Sequence, residues 1–415
     1  MKVVHICTSL NGGAGLCAKR IIRATRAMGI DAKVIVAEGD NEDEWVDVFN
    51  VPYPWSKIWP IKKFQVLLNM YGLWPRYERF PHKINKELKK MDADRVCVTS
   101  PISRYKKLHE HPWIKDADII HLQWVGNFLD YETFFKNVHT PIVWTIHDEN
   151  PGLGGFHYTS WRDSSTESFK KLERKLIAIK QEAYSHVENM MLVAISSMMK
   201  QYIMSNELLS RFPVRMIHNG IEADRFLKKD KQESRQQLEI PADAIVFTFV
   251  AENIHEGRKG LKDLIEALEE IQIPNVHLYC LGRYDDILPE SDLPVHCVGF
   301  VSDAATLSLY YSASDYFVIP SYQEAFAQTP MEAMACGTPV ITYPCSGSGD
   351  LINESNGVIC TDFSVNALVD GIRLAMTRKY DPSIIREDVI GRFAYDKIAC
   401  QYLQLYEDVL SMIQL

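Results

Sequence analysis

Two carboxylates stand at a strand-to-helix junction in Pro320-Ser321-Tyr322-Gln323-Glu324-Ala325-Phe326-Ala327-Gln328-Thr329-Pro330-Met331-Glu332-Ala333-Met334-Ala335-Cys336-Gly337. Glu324 falls in the loop after the β-branched run Tyr316–Ile319. Glu332 falls on the helix expected over Thr329–Cys336, which Gly337 ends. Carboxylates beyond the carboxyl end of a parallel strand lie where open α/β sheets bind ligands. Near the N-terminus, Asn11-Gly12-Gly13-Ala14-Gly15 connects strand Val3–Cys7 to a helix expected over Ala14–Ala27. Glycines at such a junction let backbone N–H groups and the helix dipole approach a phosphate. A third group follows short strands: His121 on Ile119–Leu122 with Gln123 behind it, and His147 and Asp148 just past Ile142–Ile146. Buried, hydrogen-bonded structural histidines compete with this reading.

Two other chemistries are suggested by local pattern. Gly13-x-Gly15-x-x-Ala18, with Glu38 at the end of the second strand, fits a dinucleotide fingerprint. That keeps an NAD(P)-dependent dehydrogenase or a sugar-nucleotide epimerase in view. Five residues separate Cys7 from Gly13, however, and the fingerprint normally begins almost at once. Asp92-Ala93-Asp94 and Asp116-Ala117-Asp118 mimic an Asp-x-Asp metal site. Neither follows a strand, so no metal ligands are expected.

The elements that must position these groups alternate in type. Ala32–Ala37 reads as a strand, 165–188 as an amphipathic helix with Phe169, Leu172, Leu176, Ile179 and Ala183 on its apolar face, and Leu192–Ile195 as a strand. The alternation restarts after Pro213, through Val214–Ile217, the turn His218-Asn219-Gly220, strand Ile245–Val250, helix Gly260–Ile271, strand Val276–Leu281, helix Ser302–Ser312 and strand Pro339–Thr342. Such alternation implies parallel sheets covered on both faces. The last helix, about Tyr395–Ile413, places Ile398, Tyr402, Leu405 and Val409 on one stripe and is long enough to leave its own domain.

The chain has 415 residues, 47 % of them apolar and 24 % charged, which excludes disorder as the main state and suits two domains. No run approaches a membrane span, and the first residues lack a signal-peptide pattern. Nine cysteines without a CxxC pair read as scattered thiols. The net charge of −9 argues against nucleic acid as a partner. Residues 51–115 nevertheless carry 14 Lys/Arg against 5 acids, and all eight tryptophans lie between 45 and 161. The basic segment reads either as solvated helices or as a patch for an anionic acceptor or membrane.

The segment from Pro320 to Ile341 resembles the glutamate, seven residues, glutamate motif of retaining GT-B glycosyltransferases of family 4. Glu324, Phe326, Glu332, Ala333, Met334, Ala335, Gly337, Pro339, Val340 and Ile341 match, while Ala325 and Ala327 replace two usual glycines. His218-Asn219-Gly220-Ile221-Glu222 through Phe226 resembles the family's linker motif. Arg258-Lys259-Gly260-Leu261 resembles its Lys-Gly motif, whose lysine binds the donor diphosphate. Asn253 stands at the usual arginine, with Arg258 as a substitute charge. Asp118-Ile119-Ile120-His121-Leu122-Gln123 resembles a segment whose second histidine faces the sugars, replaced here by Gln123. Val143 to Asp148, then Gly154-Gly155-x-His157-Tyr158, resembles the surface-polysaccharide subset, where cysteine often stands at Phe156.

The resemblance implies an α/β GT-B fold: two Rossmann-like, doubly wound parallel-sheet domains with an interdomain cleft and a C-terminal crossover helix. Residues 1–215 would bind acceptor, with 391–415 packing back onto them, and 216–390 would bind donor. The implied activity is retaining, metal-independent transfer of a hexose-type sugar from a UDP- or GDP-linked donor to a glycan or lipid-linked oligosaccharide, with no other cofactor. Glu324 and His147 are the expected catalytic residues. Gly12, Gly13, Arg258, Lys259, Phe326 and Glu332 are expected at the donor, and Gln123 and Asp148 at the acceptor or sugar subsite. The expected setting is the cytoplasm, with peripheral contact to the inner membrane face through 51–115. A catalytically impaired GT-B partner subunit remains the alternative beside the dehydrogenase and epimerase.

Overall fold

The computed structural model describes residues 1–415 except 41–42, 52–56, 65–66, 69–72, 92–96, 285–290, 346 and 414–415. Asp92, Asp94, Trp55 and Tyr71 therefore lie outside the described residues. The chain divides into two compact units. The first comprises Met1–Ile195, Met199–Ile217 and Ala399–Leu415; the second comprises Ser196–Met198 and His218–Ile398.

The first unit holds strands β1 (Lys2–Ser9), β2 (Asp31–Glu38), β3 (Val46–Val48), β4 (Ile119–Leu122), β5 (Ile142–Ile146), β6 (Met190–Ala194) and β7 (Val214–Met216). They form one parallel sheet in the order β3-β2-β1-β4-β5-β6-β7. Val3, Ile6, Ile35, Ile120, Val143, Ile146 and Val193 are all sealed from solvent, as continuous apolar runs in a doubly covered sheet require. The winding direction reverses between β1 and β4, which makes their carboxyl ends the switch point where such sheets bind ligands. Helix Glu167–Ser185, begun by a Thr166 side-chain cap, buries Phe169, Leu172 and Leu176 with Leu153 and Phe156.

The second unit holds β8 (Ile245–Asn253), β9 (Val276–Arg283), β10 (Val295–Gly299), β11 (Tyr316–Ile319), β12 (Val340–Thr342) and β13 (Gly357–Ile359). Their parallel order is β10-β9-β8-β11-β12-β13, with its reversal between β8 and β11. Both units are thus doubly wound and Rossmann-like, as the alternation of elements implies. The final helix, Tyr395–Ile413, buries Ile398, Tyr402, Leu405 and Val409, and its residues from Ala399 onward belong to the first unit.

Several expectations need correction. β1 runs on to Ser9 because Cys7 and Ser9 stay in register with Val36 and Glu38. The helix behind it begins at Gly12 instead of Ala14, so the junction is only Leu10 and Asn11. The helix carrying Glu332 spans Gln328–Ala335, and the helix expected from Ser302 spans Ala304–Ala313, started by an Asp303 cap. Strands β3, β10 and β13 were not anticipated; each is short or only partly buried, which weakens its apolar pattern.

Candidate active site

In the second unit, the loops after β8 and β11 meet beside the switch point. Residues Gly257–Lys259 make one tight turn, and Gly260 follows at φ +77. A Cβ on Gly260 would lie 2.1 Å from the Pro320 carbonyl oxygen, so only glycine lets the two loops close. The Tyr322 N–H donates to the Arg258 carbonyl at 2.8 Å and ties them further. This brings together three expected residues distant in sequence. Lys259 Nζ pairs with Glu324 Oε1, and Arg258 Nη1 lies 3.3 Å from the same oxygen. Arg258 also donates to the Gln323 carbonyl at 3.0 Å and grips Glu256 with Nε at 2.6 Å. Burial would raise the pKa of Glu324, but the charges of Lys259 and Arg258 outweigh it and hold the carboxyl below its ordinary value. The result is an ionised carboxylate facing two cations.

Glu332 is buried on its helix and accepts from Tyr311 Oη at 3.3 Å. Phe326 is buried with its ring 5.3 Å from His218 and 5.7 Å from Phe393. An open hollow of about 290 Å³ is lined by Glu324, Ala327, Thr342, Cys345, Gly347 and Ser348, among others. A Cβ on Gly347 would come 2.8 Å from Phe326 Cα, so that glycine permits close packing against the Glu324 loop. Asn253 turns its side chain onto the His255 N–H at 2.9 Å.

In the first unit, Gly12 heads the helix Gly12–Ala27 at φ +72, and neither Gly12 nor Gly13 has an atom within 4 Å of a Cβ position. Gly15 has another job: its Cβ would meet the Ser9 carbonyl oxygen at 2.4 Å, so it lets helix and strand touch. Register assembles the histidine group. His5 stands opposite His121, and His121 opposite Val143. With a strand period of two, His5, His121, Gln123, Thr145 and His147 share one face. Gln123 is 1 % exposed, and its amide contacts His5, His121 and His147. Burial drives the His5 and His147 imidazoles down to about 3 and about 4, so both are neutral at ordinary pH.

Asp148 is buried with both oxygens occupied. Oδ2 accepts from Trp124 Nε1 at 2.9 Å and from His157 Nδ1 at 2.6 Å, and Oδ1 accepts from the Asn150 N–H at 2.9 Å. Burial opposes a charge on His157, but Asp148 wins and pushes it up to about 10. Asp148 thus orients the Trp124 indole and the His157 imidazole. Gln123, Trp124, Thr145, His147, Asp148 and Asn150 line a polar hollow of about 240 Å³.

Sequence reasoning passed over His157 as a site residue, and it missed Trp124, Lys180 and Glu173. The signal for Glu173 was the pair Gly154-Gly155: its carboxylate accepts both of their N–H groups at 2.6 and 2.8 Å. Buried Lys180 donates to the Asn150 carbonyl at 2.6 Å, and burial lowers its ammonium to about 7. Asp116 and Asp118 turn to Lys2, Asp116 to its Nζ at 2.8 Å and Asp118 to its N–H at 2.7 Å. No helix among the described residues is long and apolar enough to cross a membrane.

Comparison with known proteins supports a transferase. Residues 230–390 match the family model of glycosyl transferases group 1. An uncharacterized glycosyltransferase of Methanocaldococcus jannaschii is 26 % identical over 316 residues, covering 71 % of this chain and 76 % of that one. A putative teichuronic acid biosynthesis glycosyltransferase of Bacillus subtilis is 26 % identical over 197 residues, covering 47 % of this chain and 48 % of that one. Among solved structures, a sucrose-phosphate synthase of Thermosynechococcus elongatus superposes with a TM-score of 0.68 at 20 % identity, covering 99 % of this chain and 100 % of that one. Anabaena HepE in complex with UDP-glucose gives a TM-score of 0.64 at 17 % identity, covering 98 % and 100 %. The chain has the GT-B fold, and its residues 230–390 are similar to the glycosyl transferases group 1 family.

Proposed function

We propose that this protein is a retaining glycosyltransferase that moves a hexose-type sugar from a nucleoside-diphosphate donor, UDP- or GDP-linked, to a glycan or lipid-linked acceptor in surface-polysaccharide synthesis. The observation that carries the reading is the convergence of Lys259, Arg258 and Glu324 at the switch point of the unit matched by the family model. Cleaving the sugar–diphosphate bond leaves negative charge on the departing phosphate and positive charge on the sugar. Lys259 and Arg258 meet the first; within the first unit, the N–H groups at Gly12 and Gly13 offer an anion contact of their own. Glu324 faces the sugar hydroxyls and the oxocarbenium-like carbon. Glu332 holds the nucleotide ribose, Phe326 packs the loop, and Gln123, His147 and Asp148 serve the sugar or acceptor side.

No metal enters this scheme, because cationic side chains already supply the charge. The basic segment 51–115 serves anionic membrane contact on the cytoplasmic side; its described part includes Lys57, Lys62 and Lys63 near exposed Phe64 and Leu67. A calorimetric screen of UDP, GDP and ADP sugars, followed by transfer assays with Lys259→Ala, tests the reading. Tight binding of one donor that Lys259→Ala weakens by at least tenfold is expected. Absence of any nucleotide-sugar binding, or reduction of NAD(P) by the protein, would sink it.

A further inference from the structure

The glutamine at position 123 stands where the resembled segment has a second histidine, and its amide is the hub of a buried network. Nε2 lies 3.2 Å from His5 Nδ1 and 3.1 Å from His121 Nε2, while Oε1 lies 2.9 Å from His147 Nε2. A primary amide has two hydrogens on nitrogen and lone pairs only on oxygen. With Nε2 donating to both neighbours, His5 Nδ1 and His121 Nε2 are acceptors. His121 then carries its hydrogen on Nδ1 and donates to Tyr406 Oη at 2.7 Å. Thr145 Oγ1 lies 2.8 Å from His121 Nε2 and 3.1 Å from Tyr402 Oη. The hydrogen of His5 falls on Nε2, a buried atom with no partner among the described residues.

The same logic reaches His147. Because Gln123 Oε1 can only accept, the His147 hydrogen belongs on Nε2. Its Nδ1 is then a bare lone pair, hydrogen-bonded to nothing among the described residues, on a half-buried ring that lines the hollow with Trp124 and Asp148. We propose that Gln123 is a positioning residue: it locks His147 in the Nε2–H tautomer and so makes Nδ1 a fixed acceptor for a hydroxyl group of an uncharged sugar. A lone pair at that point welcomes an O–H donor and repels a phosphate or uronate oxygen. The proposal rests on the transferase reading for its ligand, but the tautomer does not.

Nitrogen-15 spectra of the histidine-labelled full-length protein, with His147 assigned by His147→Gln, test it at about pH 7, above the imidazole's own titration. The expected result is an unprotonated Nδ1 and a protonated Nε2 at His147. Gln123→Met, which keeps volume but removes the acceptor, is expected to mix the two tautomers and lower kcat/KM about tenfold, the scale of one positioned hydrogen bond. Gln123→Glu keeps an acceptor toward Nε2–H and is expected to restore the single tautomer. A wild-type His147 protonated on Nδ1 would overturn the proposal without any variant. So would a Gln123→Met protein with mixed tautomers and unchanged transfer. Absence of transfer by the unaltered protein would instead overturn the transferase reading, and the spectra, which need no turnover, would still decide the role of Gln123.

Discussion

Lys259 and Glu324 form a buried ion pair across the two loops of the second unit's switch point, with their side chains only 15 % and 13 % exposed. On the donor-site reading, the carboxylate occupies the cation that a diphosphate would claim. Diphosphate binding then exchanges one anion for another at Lys259 and frees Glu324 for the sugar. The expected outcome for Glu324→Gln is tighter binding of UDP or GDP by calorimetry, together with a loss of transfer of about a hundredfold or more, the scale of a lost electrostatic stabiliser. Weaker nucleotide binding, or near-normal turnover, would refute the exchange.

Gly260 supplies a prediction about the scaffold. Its positive φ and its contact with the Pro320 carbonyl leave no room for a methyl group. Gly260→Ala should lose about 1–2 kcal/mol from the left-handed backbone and about 1–3 kcal/mol from the clash. Thermal unfolding should fall by several degrees, and Lys259 should be displaced from Glu324. A variant with unchanged melting temperature and donor KM would show that the loops tolerate separation.

The pair Asp148 and His157 makes stability depend on pH in a stated direction. The folded His157 imidazole titrates near 10, well above its ordinary value of about 6.5. Its contribution is therefore fully present below about pH 6.5, declines through the interval to about 10, and is lost above that. The stability difference between wild type and His157→Gln, measured by urea unfolding, should shrink as pH rises across this window. A difference that grows with pH would place the proton elsewhere.

Metal removal gives a further check. Activity should survive a chelator, because Lys259 and Arg258 supply the charge at the leaving group and Asp116 and Asp118 are engaged with Lys2. Abolished activity, restored by adding back a divalent ion, would contradict that expectation.

Much of this molecule was readable in one dimension. The alternation of short apolar strands and amphipathic helices implies two parallel sheets. The final helix shows its buried stripe because Ile398, Tyr402, Leu405 and Val409 repeat at helical spacing. Glu324 and Glu332 are linked by a local strand–loop–helix geometry, so their proximity to the β11 end needed no distant contact. The other relationships are non-local. Nothing between residues 5 and 147 states that His5 faces His121 or that Gln123 bridges them to His147; that follows from strand register, in which a shift of one residue would turn every side chain to the opposite face. Likewise the sequence shows Asp148 beside His147, but only folding brings Trp124 and His157 onto its carboxylate. Chain-local periodicity decided which elements form, while hydrogen bonds between distant segments decided which side chains are spoken for and which remain open to a ligand.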